Sequence, residues 1–250
     1  MLKIFAGYDD RMPAGFEVFR HSVESRASGP VAVIPLRLDQ LRDAGIYWRD
    51  TDGRASTPFS LTRFLVPHLC NYEGTALFVD GSDMLLTQDI FRLTVDHVFD
   101  LQDYAVMCVQ HAYHPKQSDK FYGQQQYVYP CKNWSSVMYF NCAKCHPLTL
   151  ARVNTMPPAW LHQFEWVGID RVGALPVEWN WLAGEDEYRW DNHERPPALI
   201  HYTLGLPVVP GAAKTEFDNI WYSERHRLVE SIVIDPPLDH ATTTDSTTAV

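Results

Sequence analysis

In Thr75-Ala-Leu-Phe-Val-Asp80-Gly-Ser-Asp83-Met-Leu-Leu, five residues of a strand run into a Gly-Ser turn held between two acids, and a second apolar run follows. A strand that ends this way places both carboxylates at its carboxyl end, where open α/β sheets hold ligands. Hard oxygen donors in such a crevice suit Mg²⁺ or Mn²⁺ carried by a diphosphate. Read in isolation, Asp-x-x-Asp is equally a polar turn, so the rest of the chain has to decide.

Far downstream, Pro197-Ala-Leu-Ile-His201-Tyr-Thr-Leu-Gly205-Leu-Pro207 repeats the arrangement, with a short apolar run delivering one polar residue before a Gly/Pro turn. His201 can complete a metal site with Asp80 and Asp83, and an imidazole beside two carboxylates favours Mn²⁺ over Ca²⁺. The competing reading is a hydrogen-bonded structural histidine.

Strand-like and helix-like segments alternate through the first half: Lys3 to Tyr8, Ala14 to Ser25 and Val31 to Leu36 form a β-α-β start. Pro13 stands near the first helical position, where its missing N–H costs nothing. A helix over Pro58 to Leu69 precedes the Thr75 to Val79 strand, and Leu101 to Val109 and Ser135 to Phe140 read as further strands. At 250 residues the chain can bury one substantial core, which predicts a single α/β domain over residues 1–238. Residues 239–250, polar and low in complexity, read as a disordered tail.

A hydrophobic content of 46% excludes wholesale disorder, and no apolar run is long enough to cross a bilayer. The N-terminus enters a strand directly, without a basic-then-apolar leader, so the expected location is cytoplasmic. A formal charge of −10 argues against broad binding to nucleic acid or anionic membrane. A small anionic ligand is compatible with that charge if a divalent cation and a few basic residues, such as Arg11, Arg63 and Lys132, neutralise it locally. Arg63, with apolar neighbours Phe64 and Leu65, needs a partner, either a structural carboxylate or a phosphate.

Five cysteines without a leader suggest reduced thiols. Cys142-Ala-Lys-Cys145-His146 matches the haem-attachment pattern, but that chemistry generally needs export, and the run continues out of a strand. A zinc site with Cys131 lacks two clean Cys pairs. The polar, aromatic stretch 111–132 reads as a long loop, a candidate acceptor lip or a plain surface excursion. Asn133, Ser135, Ser136 and Asn141 offer neutral hydrogen bonds of the kind that recognise sugar hydroxyls. Trp179-Asn180-Trp181 reads as a rigid wall below the site, with Asp170, Glu185 and Asp186 the acids near it.

The ordered set of these segments resembles GT-A glycosyltransferases, and specifically a bacterial-type relative of glycosyltransferase family eight. The set comprises Leu2 to Arg11, Ser56 to Pro67, the Asp80/Asp83 strand end, Asn133 to Asn141, Leu175 to Asn180 and the His201 segment, together covering roughly residues 1 to 210. The chain departs from the family's Asp-x-Asp by one extra residue between the acids. Asp-x-x-Asp with a later His is similar to the metal site of the collagen-lysine glycosyltransferases. The resemblance implies a mostly parallel central sheet flanked by helices and a metal-dependent transfer of a sugar from a nucleotide sugar, UDP-linked, with retention of configuration.

The resemblance further implies that Ala6, Gly7, Tyr8, Asp9 and Arg11 surround the nucleotide, with Arg63, Asp80, Ser135 and Ser136 also on the donor. Asp80, Asp83 and His201 hold the metal, and Asp170, Asn141 and Lys132 stand near the reacting groups. The acceptor, whether glycan, protein or small molecule, is not legible. Two other readings stay open: a catalytically silent nucleotide- or carbohydrate-binding module of the same fold, and a sugar nucleotidyltransferase, which the glycine-poor Ala6 to Gly15 segment disfavours.

The cysteine reading has a direct check. The purified protein should show no Soret band and no stoichiometric zinc by elemental analysis; either signal would overturn it.

Overall fold

The computed structural model describes residues 1–50, 57–112, 119–120, 124–125, 130–185, 188 and 197–232. Its elements, in chain order, are β1 (Leu2–Gly7), α1 (Pro13–Glu24), β2 (Val31–Leu36), α2 (Leu38–Asp43), α3 (Val66–Leu69), β3 (Thr75–Val79), β4 (Met84–Leu86), α4 (Ile90–His97) and β5 (Val106–Val109). They continue as β6 (Asp119–Lys120), β7 (Gln124–Gln125), β8 (Val137–Asn141), α5 (Leu150–Thr155), α6 (Pro158–His162), β9 (Val172–Leu175), β10 (Trp181–Leu182), β11 (Leu199–His201) and α7 (Asp218–Ile232). The expected tail and Asp186 lie outside the described residues, as does most of the expected acceptor loop, within which β6 pairs antiparallel with β7.

Six strands form the main sheet in the order β2-β1-β3-β8-β5-β9. β1 is parallel to β2 and β3, β5 is parallel to β9, and β8 alone runs antiparallel to its two neighbours. Side chains alternate between two apolar layers. Phe5, Phe78, Met138, Phe140 and Cys108 face one layer, while Ile4, Ala6, Leu77, Val79, Val137, Tyr139 and Met107 face the other. Burial on both faces is why the Thr75 to Val79 run carries no polar residue after Thr75. A second, three-stranded sheet, β10-β11-β4, packs with α1 and α7 around Trp181, Trp221 and Ile200.

The β-α-β start appears as read, with Pro13 in the first turn of α1 and Gly15, Phe16, Val18, Phe19, Ser22 and Val23 on its buried face. Three expected segments differ. The helix over Pro58 to Leu69 is a tight turn of helix at Thr62–Leu65 followed by the single turn of α3, because Pro67 lacks the N–H that a continuous helix would need. The strand over Leu101 to Val109 begins only at Val106, since Asp100–Gln102 form a helical turn closed by the Asp103 and Tyr104 amides. The strand expected from Ser135 begins at Val137, after a helical turn over Trp134–Ser136.

One buried acid fastens α7 to the rest. Glu224, fully buried, accepts from Arg26 at 2.9 and 2.6 Å and from Arg227 at 2.9 Å, and lies 2.7 Å from His21 Nδ1. Burial raises the pKa of this carboxyl, but the hydrogen bonds and charge of Arg26, with His21, outweigh it and hold the group below its ordinary value. A depressed folded-state pKa contributes stability that is present above the ordinary glutamate range and is lost as pH falls through the depressed value. Glu224→Gln should therefore cost about 3 kcal/mol near neutral pH. Denaturant titrations should show the gap between variant and wild type closing in acid; a gap independent of pH would refute the role of the charge.

Candidate metal centre

The turn between β3 and β4 is built by three small residues. Gly81 adopts φ +71°, and a Cβ there would stand 2.9 Å from Ala6 Cβ and 3.0 Å from the Gly7 carbonyl oxygen, so both conformation and space require glycine. The Ser82 hydroxyl, fully buried, donates to Gly7 O at 3.0 Å and accepts from the Asp9 amide at 3.2 Å. Gly15 of α1 meets the same turn, because a Cβ would fall 2.1 Å from the Ser82 carbonyl oxygen. The turn is thus clamped to β1 and α1 through its middle, which leaves the flanking acids to face the crevice. Asp80 continues the β3/β8 ladder by donating its amide to Ser136 O at 2.9 Å.

Antiparallel pairing of β4 with β11 brings in the histidine. Met84 stands opposite His201, and the Tyr202 amide donates to Asp83 O at 2.9 Å. His201 Nε2 lies 3.5 Å from Asp83 Oδ2 and 3.9 Å from Asp80 Oδ2, and one ligand atom from each residue falls within 4.8 Å of the others. Ligand atoms about 2.1 Å from a divalent ion stand roughly 3 to 4 Å apart, so these three fit a shared ion.

The hydrogen-bond pattern selects the ring nitrogen that faces the acids. Asn180 Nδ2 lies 2.8 Å from Ser136 Oγ and 3.2 Å from Asn133 O, an acceptor that fixes the amide's orientation. Asn180 Oδ1 therefore faces His201 Nδ1 at 3.1 Å and takes its hydrogen. Nε2 is thereby aimed at the two carboxylates, where it can serve as the third ligand of a shared ion. This donor set of two carboxylates and one imidazole fits Mn²⁺ and accommodates Mg²⁺.

Arg63, 5% exposed, reaches Asp80 Oδ1 at 2.8 Å and donates to Ser135 O at 2.8 Å, with its guanidinium 4.9 Å from the Phe78 ring centroid. Of the two partners expected for it, the structure supplies the protein carboxylate. Behind this wall, burial pushes His111 down to about 3, so it is neutral where it bonds to the Tyr188 hydroxyl.

Asp80, Asp83, His201, Arg63, Asn133, Ser135 and Ser136 line one cleft of about 70 Å³, together with Thr57, Ser60, His162 and Thr203. Lys132 is buried one residue before Asn133. The nucleotide-side residues lie along the β1 end, but much of their chemistry is internal. Ala6 is buried against Gly81, and Gly7 leaves room for the Phe59 ring and the Asp80 carbonyl. Tyr8 has Arg37 over one face at 4.6 Å, and the buried Asp9 carboxylate is held by Arg11 at 2.6 to 3.2 Å.

Two expected site residues lie elsewhere. Because β8 runs antiparallel, its far end pairs Asn141 with Thr75, at the opposite end of the strands from Asp80, where the Asn141 side-chain amide donates to Leu101 O at 3.3 Å. The groups that β8 delivers to the crevice are those before its start, Asn133 to Ser136. Asp170 is exposed in the turn entering β9, and β9 starts with Val172 paired to Val106, which itself pairs with Phe140, again at the far end of the strands. Neither reaches the crevice. Asn180, His162 and His111 carry no distinguishing sequence signal, since each is defined by partners 21 or more residues away.

The sheet order and the strand-end acid site define the GT-A glycosyltransferase fold. Glycosyltransferase GlyE of Streptococcus pneumoniae TIGR4 superimposes with a TM-score of 0.59 at 14% identity over 92% of this chain, which spans only 62% of GlyE. The galactosyltransferase LgtC, solved with donor and acceptor sugar analogues, gives 0.51 at 17% identity, with 94% and 98% of the two chains covered. Mouse xyloside xylosyltransferase 1 gives 0.52 at 12% identity, with 83% and 99% covered. The chain belongs to the family of Protein CDI of Arabidopsis thaliana, with which it shares 42% identity over 226 residues, 89% of this chain and 85% of that one. No family model matches it.

Asn180→Ala removes the group that orients His201 while leaving all three ligand side chains. Mn²⁺ affinity, measured by calorimetry or electron paramagnetic resonance, should fall about 10- to 100-fold. An unchanged affinity would mean that the imidazole is oriented by something else.

Proposed function

We propose that this chain is a metal-dependent glycosyltransferase that moves a sugar from a UDP-linked donor to an acceptor hydroxyl. The observation that carries the reading is the convergence of Asp80, Asp83 and the oriented Nε2 of His201 at the carboxyl end of β3, on a fold shared with nucleotide-sugar transferases. A divalent ion bound by these residues would supply charge neutralisation for a diphosphate leaving group.

The chain's own residues supply the rest. Arg63 fixes one oxygen of Asp80, which leaves the other toward the ligand set. Ser135, Ser136 and Asn133, held by Arg63 and Asn180, present polar groups beside that set. The resemblance to family eight implies a front-face retaining transfer, in which the acceptor oxygen attacks the carbon that the diphosphate leaves and the departing phosphate takes the acceptor proton.

Asp83→Asn should abolish Mn²⁺-dependent UDP binding and leave the thermal midpoint of the metal-free protein unchanged or higher, since a carboxylate repelled by its neighbour is gone. His201→Ala, losing a neutral ligand, should weaken metal binding less. Calorimetry with UDP, GDP, CMP and ADP, each with Mn²⁺, tests the donor. Binding indifferent to EDTA would exclude the metal role, and a preference for GDP or ADP would exclude the uridine assignment.

A further inference from the structure

A second cavity, of about 590 Å³, lies outside the metal cleft and has no described lining residue in common with it. Its place follows from the three-stranded sheet. Met84 and His201 pair at the metal end of β4 and β11, and Leu86 pairs with Leu199 at the other end. Beyond that other end the ladder continues, with the Thr87 amide donating to Ala198 O at 2.8 Å and the Ala198 amide to Glu178 O at 2.7 Å. Gln88 and Glu178 then enter the wall of the cavity. At the rise of an extended strand, the four steps from Asp83 to Thr87 carry the chain roughly 13 Å away from the acid pair. The turn Val177–Asn180 joins the two sites, since Trp179 lines the cavity while Asn180 orients His201.

The two walls differ in character. On one, Pro176 and Trp179 supply apolar surface, and Glu178, 9% exposed, supplies a carboxylate. On the other, Arg92 and Asp96 stand one turn apart on α4. Arg92 Nη1 donates to the side-chain carbonyl of Gln88, which holds the guanidinium along this wall. Two carboxylates against one guanidinium give the lining no positive excess, even with His97 of the same wall protonated. An anionic ligand such as a nucleotide or phosphate is therefore disfavoured. The volume falls in the roughly 300–1,000 Å³ range of small-molecule sites. An apolar wall facing intermixed donors and acceptors suits a neutral polyhydroxylated ring. Its C–H face packs on apolar surface, while adjacent hydroxyls donate to a carboxylate and accept from a guanidinium.

We propose that the cavity between α4 and the Val177–Asn180 turn binds a neutral saccharide, at a site separate from the metal centre. Arg92 and Asp96 bond its hydroxyls, and Pro176 with Trp179 form the apolar side. This site needs neither the metal nor a nucleotide, so it stands apart from the glycosyltransferase reading.

The test is calorimetry with lactose, maltose, xylobiose and N-acetylglucosamine, in EDTA and without nucleotide. It compares wild type with Arg92→Ala, Asp96→Asn and Asp83→Asn. At least one saccharide should bind wild type, Arg92→Ala and Asp96→Asn should each weaken it about tenfold, and Asp83→Asn should bind it unchanged. Arg92 and Asp96 are exposed on α4, so neither change touches the core, and Mn²⁺-dependent UDP binding should be the same in both variants as in wild type. Weakening by either α4 variant supports the site. The proposal is overturned if wild type binds none of the four saccharides or if neither α4 variant weakens binding. It is also overturned if Asp83→Asn abolishes binding, which would put the saccharide in the metal cleft. Saccharide binding that depends on Arg92 and Asp96 in a protein that binds no UDP would overturn the glycosyltransferase reading alone and support the second site.

Discussion

The Ser82 hydroxyl joins the ends of two strands, and the crevice depends on that joint. By donating to Gly7 O and accepting from the Asp9 amide, it satisfies two backbone groups where β1 leaves the sheet. Such groups, buried without partners, would each cost about 1–3 kcal/mol. The contact also fixes how far the turn after β3 approaches β1, a distance that only glycine at position 81 allows. With its middle clamped, the turn has one way to present its two ends. Asp80 is set by the ladder to Ser136, and Asp83 by the strand β4 and its bond from Tyr202. Between the two acids, Gly81 provides the approach and Ser82 the bond.

Electrostatics sets the second constraint. Two carboxylates and an imidazole nitrogen converge, and Arg63 lies against one oxygen of Asp80. Like charges at such distances repel strongly in a partly buried site. Backbone ladders hold the arrangement on one side and the Asn180 amide holds it on the other. A cation would relieve the repulsion without any rearrangement of the chain, which is what a preorganised ligand set means physically.

Much of this frame was legible in the sequence, and the reason differs between residues. The β3 strand and its acids stand out because a doubly buried strand is a continuous apolar run and its end is abruptly polar. His201 was readable for the same reason, since β11 repeats that pattern. Asn141 and Asp170 were misplaced because strand direction is not written in a local pattern. Val137–Asn141 has the same composition whether it runs up or down the sheet, and only pairing with β3 and β5 shows that its amino-terminal end faces the crevice. Pro67 could have broken the predicted helix, yet a proline at a first helical turn and one at a break look alike until the turn before it is seen. Asn180 and His162 acquire their roles only from partners distant in sequence.

The reversed strand also explains how two histidines come to be anchored at one cleft. β8 begins at the crevice, so the turn before it brings backbone carbonyls and side-chain hydroxyls to the same point. Asn133 O and Ser136 Oγ meet the Asn180 amide, and Ser135 meets both Arg63 and His162. Asn133 itself adopts φ +60°, an uncommon conformation for a residue other than glycine and one that asparagine tolerates better than most. A parallel strand in this position would instead begin at the far edge and send only its carboxyl end to the crevice. The turn that leads into β8 therefore supplies both the carbonyl that fixes the Asn180 amide beside His201 and the hydroxyl that meets His162, from within four consecutive residues.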